Sequence, residues 1–446
     1  MKKVFFVGIN GIGMSALAKI MVHEGYKVYG SDMARKEITA ELEKMGVKFY
    51  QGHVDINAKD MDMIVYTSAV KLSNPELVFA KLNGIPVYKR GELLALLLNE
   101  KSGIAVAGTH GKTTTSSMLG VAMLKSDPTI VVGGIIPEIG SNSTSGDGEY
   151  LIAEADESDN SFLYMYPKYS IITNVEADHL DHHGTYENIK KSFEKFIEQT
   201  EKKVIRCRDC VDLYGLNMDK SKVARYSVVS EDAEIYAKNI RFEKDRTVYE
   251  VIMEGENLGE FELTIPGIHN VSNSLGVIYI SKMLGQDMEY VKEKIKTFKG
   301  AKRRFDILYE KEITVVDDYA HHPTEIKATL NAAKQRAKGK VIAVYQPHRY
   351  SRISSLLEDF KSSFGDADEI LIMPIYSAGE KNTYGISSEI LAQKIDGGKN
   401  IKVVSGGEEI ENIVLNQKQA DALYIFMGAG DIYRTAYKIK EELEKA

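Results

Sequence analysis

Between the apolar run Ile104 to Ala107 and a helical pattern from Lys112 to about Leu124 lies Gly108-Thr109-His110-Gly111-Lys112-Thr113-Thr114-Thr115, a segment suited to phosphate. Val106 stands where the full GxxxxGK[ST] pattern has its first glycine, but the GKT core is intact. Backbone N–H groups of Gly111 to Thr113 can cradle phosphate oxygens, Lys112 can neutralise the β and γ oxygens, and the Thr113 hydroxyl can ligate magnesium. Such a metal also needs carboxylates. The apolar run Tyr150 to Ala153 ends in Glu154, the expected ligand, followed by Asp156, Glu157 and Asp159. Further on, Ile171 to Asn174 leads into Glu176, Asp178, His179, Asp181, His182 and His183, which either bind metal and take protons or form a solvated loop. Of 10 histidines, those at 110, 179, 182, 183, 269, 321, 322 and 348 fall in or beside expected strand-end loops, where α/β proteins build their sites. His179 is the preferred ligand in its cluster.

A second glycine-rich loop stands near the start. Gly8, Gly11, Gly13 and Ala16 lie between a strand-like run, Lys3 to Ile9, and a helical pattern from Met14, with Asp32 closing the next strand. Glycines let the backbone approach a diphosphate, the helix N-terminus offers unpaired N–H groups, and the acid can bond a ribose or base. The same fingerprint would serve an NAD-dependent oxidoreductase, which leaves the GKT loop and its acids unexplained. Near the other end, His348, Arg349 and Arg352 present two guanidiniums close in sequence, suited to gripping a free carboxylate or else forming an exposed basic turn.

The elements that must position these groups follow from the pattern. The chain has 446 residues, too many for one core, and 43% hydrophobic with 27% charged residues excludes global disorder. Lys and Arg total 57 against 64 Asp and Glu, so nothing electrostatic favours nucleic acid as a partner. Apolar runs stop near the length of Leu93 to Leu98, far short of the ~20 residues a membrane span needs. The apolar start is broken at once by Gly8, Asn10, Gly11 and Gly13, so a cytoplasmic protein beginning with a strand is expected. Cys207 and Cys210 form one CxxC without a second pair, and ordinary reduced thiols are expected. Strand and helix patterns alternate up to about residue 98 and again from Lys101, with strands at Lys27 to Gly30 and Met63 to Tyr66. From about Lys203 to Pro266 alternating segments predict an antiparallel hairpin, Thr247 to Ile252 and Glu260 to Ile265, around a Gly-Glu-Asn-Leu-Gly turn. After Ala301 the alternation returns, with strands near Ile313 to Val316, Val341 to Tyr345, Glu369 to Met373, Ile401 to Val404 and Leu423 to Met427. The expected fold class is α/β in three domains: 1–98, Rossmann-like; 99–300, a P-loop ATPase domain with the hairpin region; and 301–446, Rossmann-like.

Six segments taken together resemble the Mur ligases, in the right order over essentially the whole chain. They are Ala107 to Thr113, Glu154 to Asp159, Gly267 to Asn273, Arg303-Arg304-Phe305-Asp306, Asp317-Asp318-Tyr319-Ala320-His321-His322-Pro323 and Gln346 to Arg352. The resemblance implies a cytoplasmic ATP-dependent ligase of peptidoglycan precursor synthesis, and so a part in cell-wall formation, cell shape and division. In its alanine-adding branch ATP phosphorylates the lactyl carboxylate of UDP-N-acetylmuramate, and the amine of L-alanine attacks the acyl phosphate. A recycling ligase that adds a tripeptide to the same sugar nucleotide is the nearest alternative, and a non-catalytic ATP-driven switch a more distant one. The implied partners are these small molecules with magnesium, without nucleic acid or membrane, on a monomer or weak homodimer. By resemblance Lys112 serves the phosphates with Gly108, Thr109, His110, Gly111, Thr113 and Thr114. Thr113 and Glu154 hold one magnesium, and His179 a second. Asn270 and Asn273 go to the ATP site, unless one merely caps a helix, and Arg304 and Asp318 hold ATP as domains close. Tyr319 and His321 join His348, Arg349 and Arg352 in an amino-acid pocket. Gly11, Gly13, Met14, Ser31, Asp32, His53, Ser68 and Ala69 resemble contacts to the UDP-sugar, with Arg90 a weaker match.

Overall fold

The computed structural model describes residues 2–178, 180–395, 400–417 and 419–445. The fold is α/β in three domains, each on its own sheet. The chain packs into two compact units, one of Met1–Tyr236 with Ile252–Asn257 and Asn273–Lys294, the other of Ala237–Val251, Leu258–Ser272 and Ile295–Ala446.

The first unit opens with five parallel strands in the spatial order Lys48–Gln51, Lys27–Asp32, Lys3–Val7, Met63–Tyr66, Val87–Lys89. Lys3–Val7 is the middle strand, which is why Val4 to Val7 form a continuous apolar run with both faces covered. Chain order reverses across it, so the loop after Val7 opens at the switch point where such sheets take ligands. The helix after that loop begins at Ile12, with Gly11 at its N-cap and no acid in its first turn, which leaves the positive end of its dipole uncompensated.

In the central sheet Ser102–Ala107 lies between Tyr169–Ile172 and Tyr150–Glu154, parallel to both and buried throughout. The helix it feeds, Lys112–Ala122, is buried from Thr113 onward. That burial explains its run of Thr, Ser and Gly, since small side chains let a helix lie close to a sheet. A Cβ on Gly120 would stand 2.9 Å from Ile130.

Outward from Tyr169–Ile172 the sheet continues through Lys203–Cys207, Val223–Ser227, Ile235–Phe242, Thr247–Met253 and Glu256–Leu263. The expected hairpin is present but its turn is not the expected one: the second strand starts at Glu256, and Glu254 and Gly255, both at positive φ, make a two-residue turn. The Gly-Glu-Asn-Leu-Gly segment looked like a loop because its glycines and polar residues carry no alternation. On the opposite edge Thr129–Ile136 and Ser141–Thr144 pair antiparallel, a hairpin that sequence reading missed because Gly133 and Gly134 interrupt the first strand. Both cysteines are free.

The sheet of the second unit has the order Asp306–Glu310, Thr314–Asp318, Leu423–Met427, Val341–Tyr345, Glu369–Ile372, Asn400–Val403. Only the Asp306–Glu310 edge is antiparallel. Its two faces feed separate cores, one around Tyr345, Phe360 and Phe364, the other around Tyr424, Phe426 and Ile439.

Candidate active site

The phosphate loop is shaped by two glycines. Gly108 has φ +138°, and a Cβ there would run into the Thr173 hydroxyl; Gly111 caps the helix at φ +82°, with Asn273 Oδ1 only 3.0 Å from where a Cβ would sit. The loop is tied down at its middle. The His110 N–H donates to Asn174 Oδ1 at 2.8 Å, and the His110 carbonyl accepts from Thr173 Oγ1 at 2.6 Å and Asn174 Nδ2 at 3.0 Å. Thr109 Oγ1 accepts the Glu176 N–H at 2.8 Å, and His110 Nε2 lies 3.4 Å from Glu176 Oε2. Thr114 is buried in the helix behind the loop.

Lys112 Nζ donates to the carbonyls of Gly108 at 2.6 Å and Thr109 at 3.1 Å, and to Glu157 Oε1 at 2.9 Å. Burial works against its charge, but Glu157, Asp156 and Glu154 outweigh it and hold the ammonium protonated above the usual lysine range. Burial pushes Glu157 up to about 7 against the pull of Lys112, and Asp156 adds to the rise. Desolvation works against the charge of Asp156, yet Lys112, bonds from Ser158 and the charge of Arg90 bring it below the usual carboxylate range.

Thr113 Oγ1 donates to both Glu154 oxygens at 3.0 Å, and the Gly133 N–H donates to Glu154 Oε2 at 2.7 Å. A hydroxyl and a carboxylate in contact beside a phosphate loop form a hard, all-oxygen donor set, which suits magnesium. His179 lies outside the described residues. Of its neighbours His182 is exposed, whereas His183 is buried with Nε2 2.9 Å from the Glu157 carbonyl, a structural role.

At the first glycine loop Asp32 Oδ2 accepts the Asn10 N–H at 3.0 Å, and the Ser31 carbonyl accepts the N–H groups of Gly8 and Ile9 at 2.8 and 3.0 Å. The Arg90 side chain lies over Gly13, where a Cβ would stand 3.0 Å from its Cδ. Met14 is buried, and Ser68 and Ala69 are exposed on the loop after Met63–Tyr66. The Ser31 hydroxyl is fully buried and donated to Glu76 at 2.7 Å, with His53 Nδ1 2.9 Å away, so the Ser31 side chain faces the interior.

In the second unit Tyr319, His321, His348 and Tyr376 form a row of rings, edge to face at 5.4 and 5.9 Å and then stacked at 5.6 Å. Arg303 and Arg304 lie over Tyr319 at 4.9 and 5.2 Å. Burial pushes His348 down to about 3, with His321, Arg352 and Arg349 adding, so the ring is neutral and its Nδ1 accepts from Arg352 at 3.1 Å. Arg349 sits at φ +65°, a left-handed conformation pinned by its N–H to the Tyr376 carbonyl at 2.9 Å. Asp318 is buried and accepts the N–H groups of Phe305 and Ala320, both at 2.7 Å; burial lifts it to about 6 despite Arg304. Asn270 and Asn273 both lie on the helix Ile268–Met283; Asn270 Nδ2 donates to the Pro266 carbonyl at 2.7 Å, while Asn273 faces Gly111.

Family profiles cover the chain in three parts: "Mur ligase family, catalytic domain" over 3–102, "Mur ligase middle domain" over 106–281 and "Mur ligase, glutamate ligase domain" over 303–430. A UDP-N-acetylmuramate–L-alanine ligase of Fusobacterium nucleatum is 52% identical over 100% of this chain and 97% of its own length. The chain belongs to the Mur ligase family. Another relative so named, from Sulfurihydrogenibium, is 42% identical over 97% of this chain and 95% of its own. The crystal structure of a UDP-N-acetylmuramate-alanine ligase from Thermotoga maritima superposes with a TM-score of 0.82 at 30% identity, covering 100% of both chains. A murein peptide ligase from Psychrobacter arcticus shares the Mur ligase fold at a TM-score of 0.69 and 22% identity.

Sequence reading missed several groups that shape this Mur ligase site. Glu157 was noted only as one acid among four, although it is the one that meets Lys112. Thr173 and Asn174, which clamp His110, carried no motif; their place directly after a strand was the available signal. Tyr376 and Glu76 carried none at all.

Proposed function

We propose that this chain joins L-alanine to the lactyl carboxylate of UDP-N-acetylmuramate, using ATP and passing through an acyl phosphate. The observation that carries this reading is the 52% identity along the full chain to an alanine-adding ligase. The chemistry pairs two anions, so cations come before acids and bases. The carboxylate oxygen attacks the γ-phosphorus and the bond to ADP breaks; the uncharged amine, its ammonium having lost a proton, then attacks the acyl carbon and phosphate leaves.

Lys112 and the N–H groups from Gly111 to Thr113 would bind the β and γ phosphates, with Gly108, Thr109, His110 and Thr114 shaping their loop. Magnesium held by Thr113 and Glu154 would supply further positive charge. Arg304, Asp318, Asn270 and Asn273 would serve ATP. The guanidiniums of Arg349 and Arg352 would take the alanine carboxylate, with Tyr319, His321 and the neutral His348 around it. The glycine loop, Met14, Asp32, His53, Ser68 and Ala69 would take the sugar nucleotide. Residues 1–98, 99–300 and 301–446 would then be the sugar-nucleotide, ATP and amino-acid domains. Among the described residues no helix is long and apolar enough to cross a membrane, and we place the enzyme in the cytoplasm.

The test is phosphate release and product mass with ATP, magnesium, UDP-N-acetylmuramate and single amino acids. Release that needs both the sugar nucleotide and L-alanine, with the amide as product, is expected. Turnover only with a tripeptide would move the chain to the recycling branch.

A further inference from the structure

Glu76 is a charged residue with no exposure, the second residue of the helix Pro75–Leu82. Taking a carboxylate out of water is costly unless donors surround it, and apolar side chains usually fill such a place at no loss of stability. Here three donors converge on it. Ser31 Oγ donates to Oε2 at 2.7 Å, His53 Nδ1 lies 3.0 Å from the same oxygen, and Asn57 Nδ2 donates to Oε1 at 2.8 Å. The three come from the strand Lys27–Asp32, the loop after Lys48–Gln51 and the short helix Asp55–Ala58 that follows it, and Glu76 itself follows Met63–Tyr66. One carboxylate thus ties together the carboxyl ends of strand units on both sides of the middle strand Lys3–Val7, on the side where such sheets bind ligands.

The network also fixes a proton. Ser31 gives its hydrogen to Glu76, so its oxygen can only accept from His53 Nδ1, 2.9 Å away, and a carboxylate oxygen can only accept. Both neighbours of Nδ1 therefore require a hydrogen there. Nε2 is the atom the network does not use, on a ring whose side chain keeps 16% exposure. From Ser31 the support runs on to the glycine loop, through the Ser31 carbonyl to the Gly8 and Ile9 N–H groups.

We propose that Glu76 is a positioning residue for the sugar nucleotide: it locks His53 with Nδ1 protonated and Nε2 toward the ligand, and holds the floor of the diphosphate loop through Ser31. This rests on the function proposed above.

The first measurement needs no variant: ring 15N shifts of His53 in histidine-labelled full-length protein. A hydrogen on Nδ1 is expected; a neutral ring with its hydrogen on Nε2 would overturn the proposal. Glu76→Gln leaves one acceptor oxygen where two served three donors. It is expected to raise the KM for UDP-N-acetylmuramate about tenfold or more, with the KM for ATP and kcat within about twofold. Glu76→Asp, which keeps the charge, recovers part of that loss. A parallel rise in the KM for ATP and L-alanine would mean general damage and refute the role. If wild type turns over no sugar nucleotide with L-alanine, the functional reading fails, while the ring measurement still decides the state of His53.

Discussion

Lys112 makes bonds to two carbonyls and a buried carboxylate, so its removal takes away the charge that a γ-phosphate would meet and leaves Glu157 buried without a partner. Lys112→Ala is expected to abolish ATP-dependent phosphate release while a calorimetric titration still gives UDP-N-acetylmuramate affinity within about twofold of wild type, since the two phosphate loops sit on different sheets. A large loss of sugar-nucleotide affinity would contradict that division. The GKT residues were legible because loop chemistry needs them in consecutive order. Glu157 and Glu76 were not, because Lys112 and Ser31, which they meet, are each 45 residues away and become neighbours only when strand ends converge.

At the scale of elements, Val341–Tyr345 and Leu423–Met427 matched the expected ranges because each is an apolar run buried on both faces of a parallel sheet. Helix starts and hairpin turns were less legible, since a glycine can mark a cap, a turn or the interior of an edge strand, and neighbouring strands decide which. The turn into the helix Tyr350–Ser355 stores strain at Arg349, whose φ of +65° disfavours any side chain with a Cβ. Arg349→Gly and Arg349→Ala should raise the KM for L-alanine alike, far more than that for ATP. In urea unfolding the Gly variant should be the more stable of the two, by about 1 kcal/mol. Equal stability would mean that the turn is unstrained. Unequal KM values would mean that backbone shape, not the guanidinium, sets affinity.

For the whole molecule, acids buried in the folded state tie stability to pH. Burial, with Asp318 and Asp306, pushes Asp317 up to about 7 despite Arg303, whose Nε is 3.4 Å away. Its ordinary value is 3.8, so between about 4 and 7 the folded chain binds more proton than the unfolded one. This group's contribution to stability is therefore present at the acid end of that window and lost as pH rises through it. Asp317→Asn, which mimics the neutral acid, should gain stability over wild type at pH 7.5 and gain less at pH 5; the same difference at both pH values in urea melts would refute the assignment. The sheet that carries Gly8 to Gly13 and the sheet that carries Gly108 to Thr113 fold into one compact unit, pinned where Asn142 Nδ2 meets the Ile12 carbonyl at 3.3 Å and where Gly91 lies against Ser161. The two glycine loops thus belong to one compact unit, and under the proposed function the entropy of bringing two like-charged substrates to reacting distance would be met by the folding of the chain, as in a jig cut in advance for both pieces.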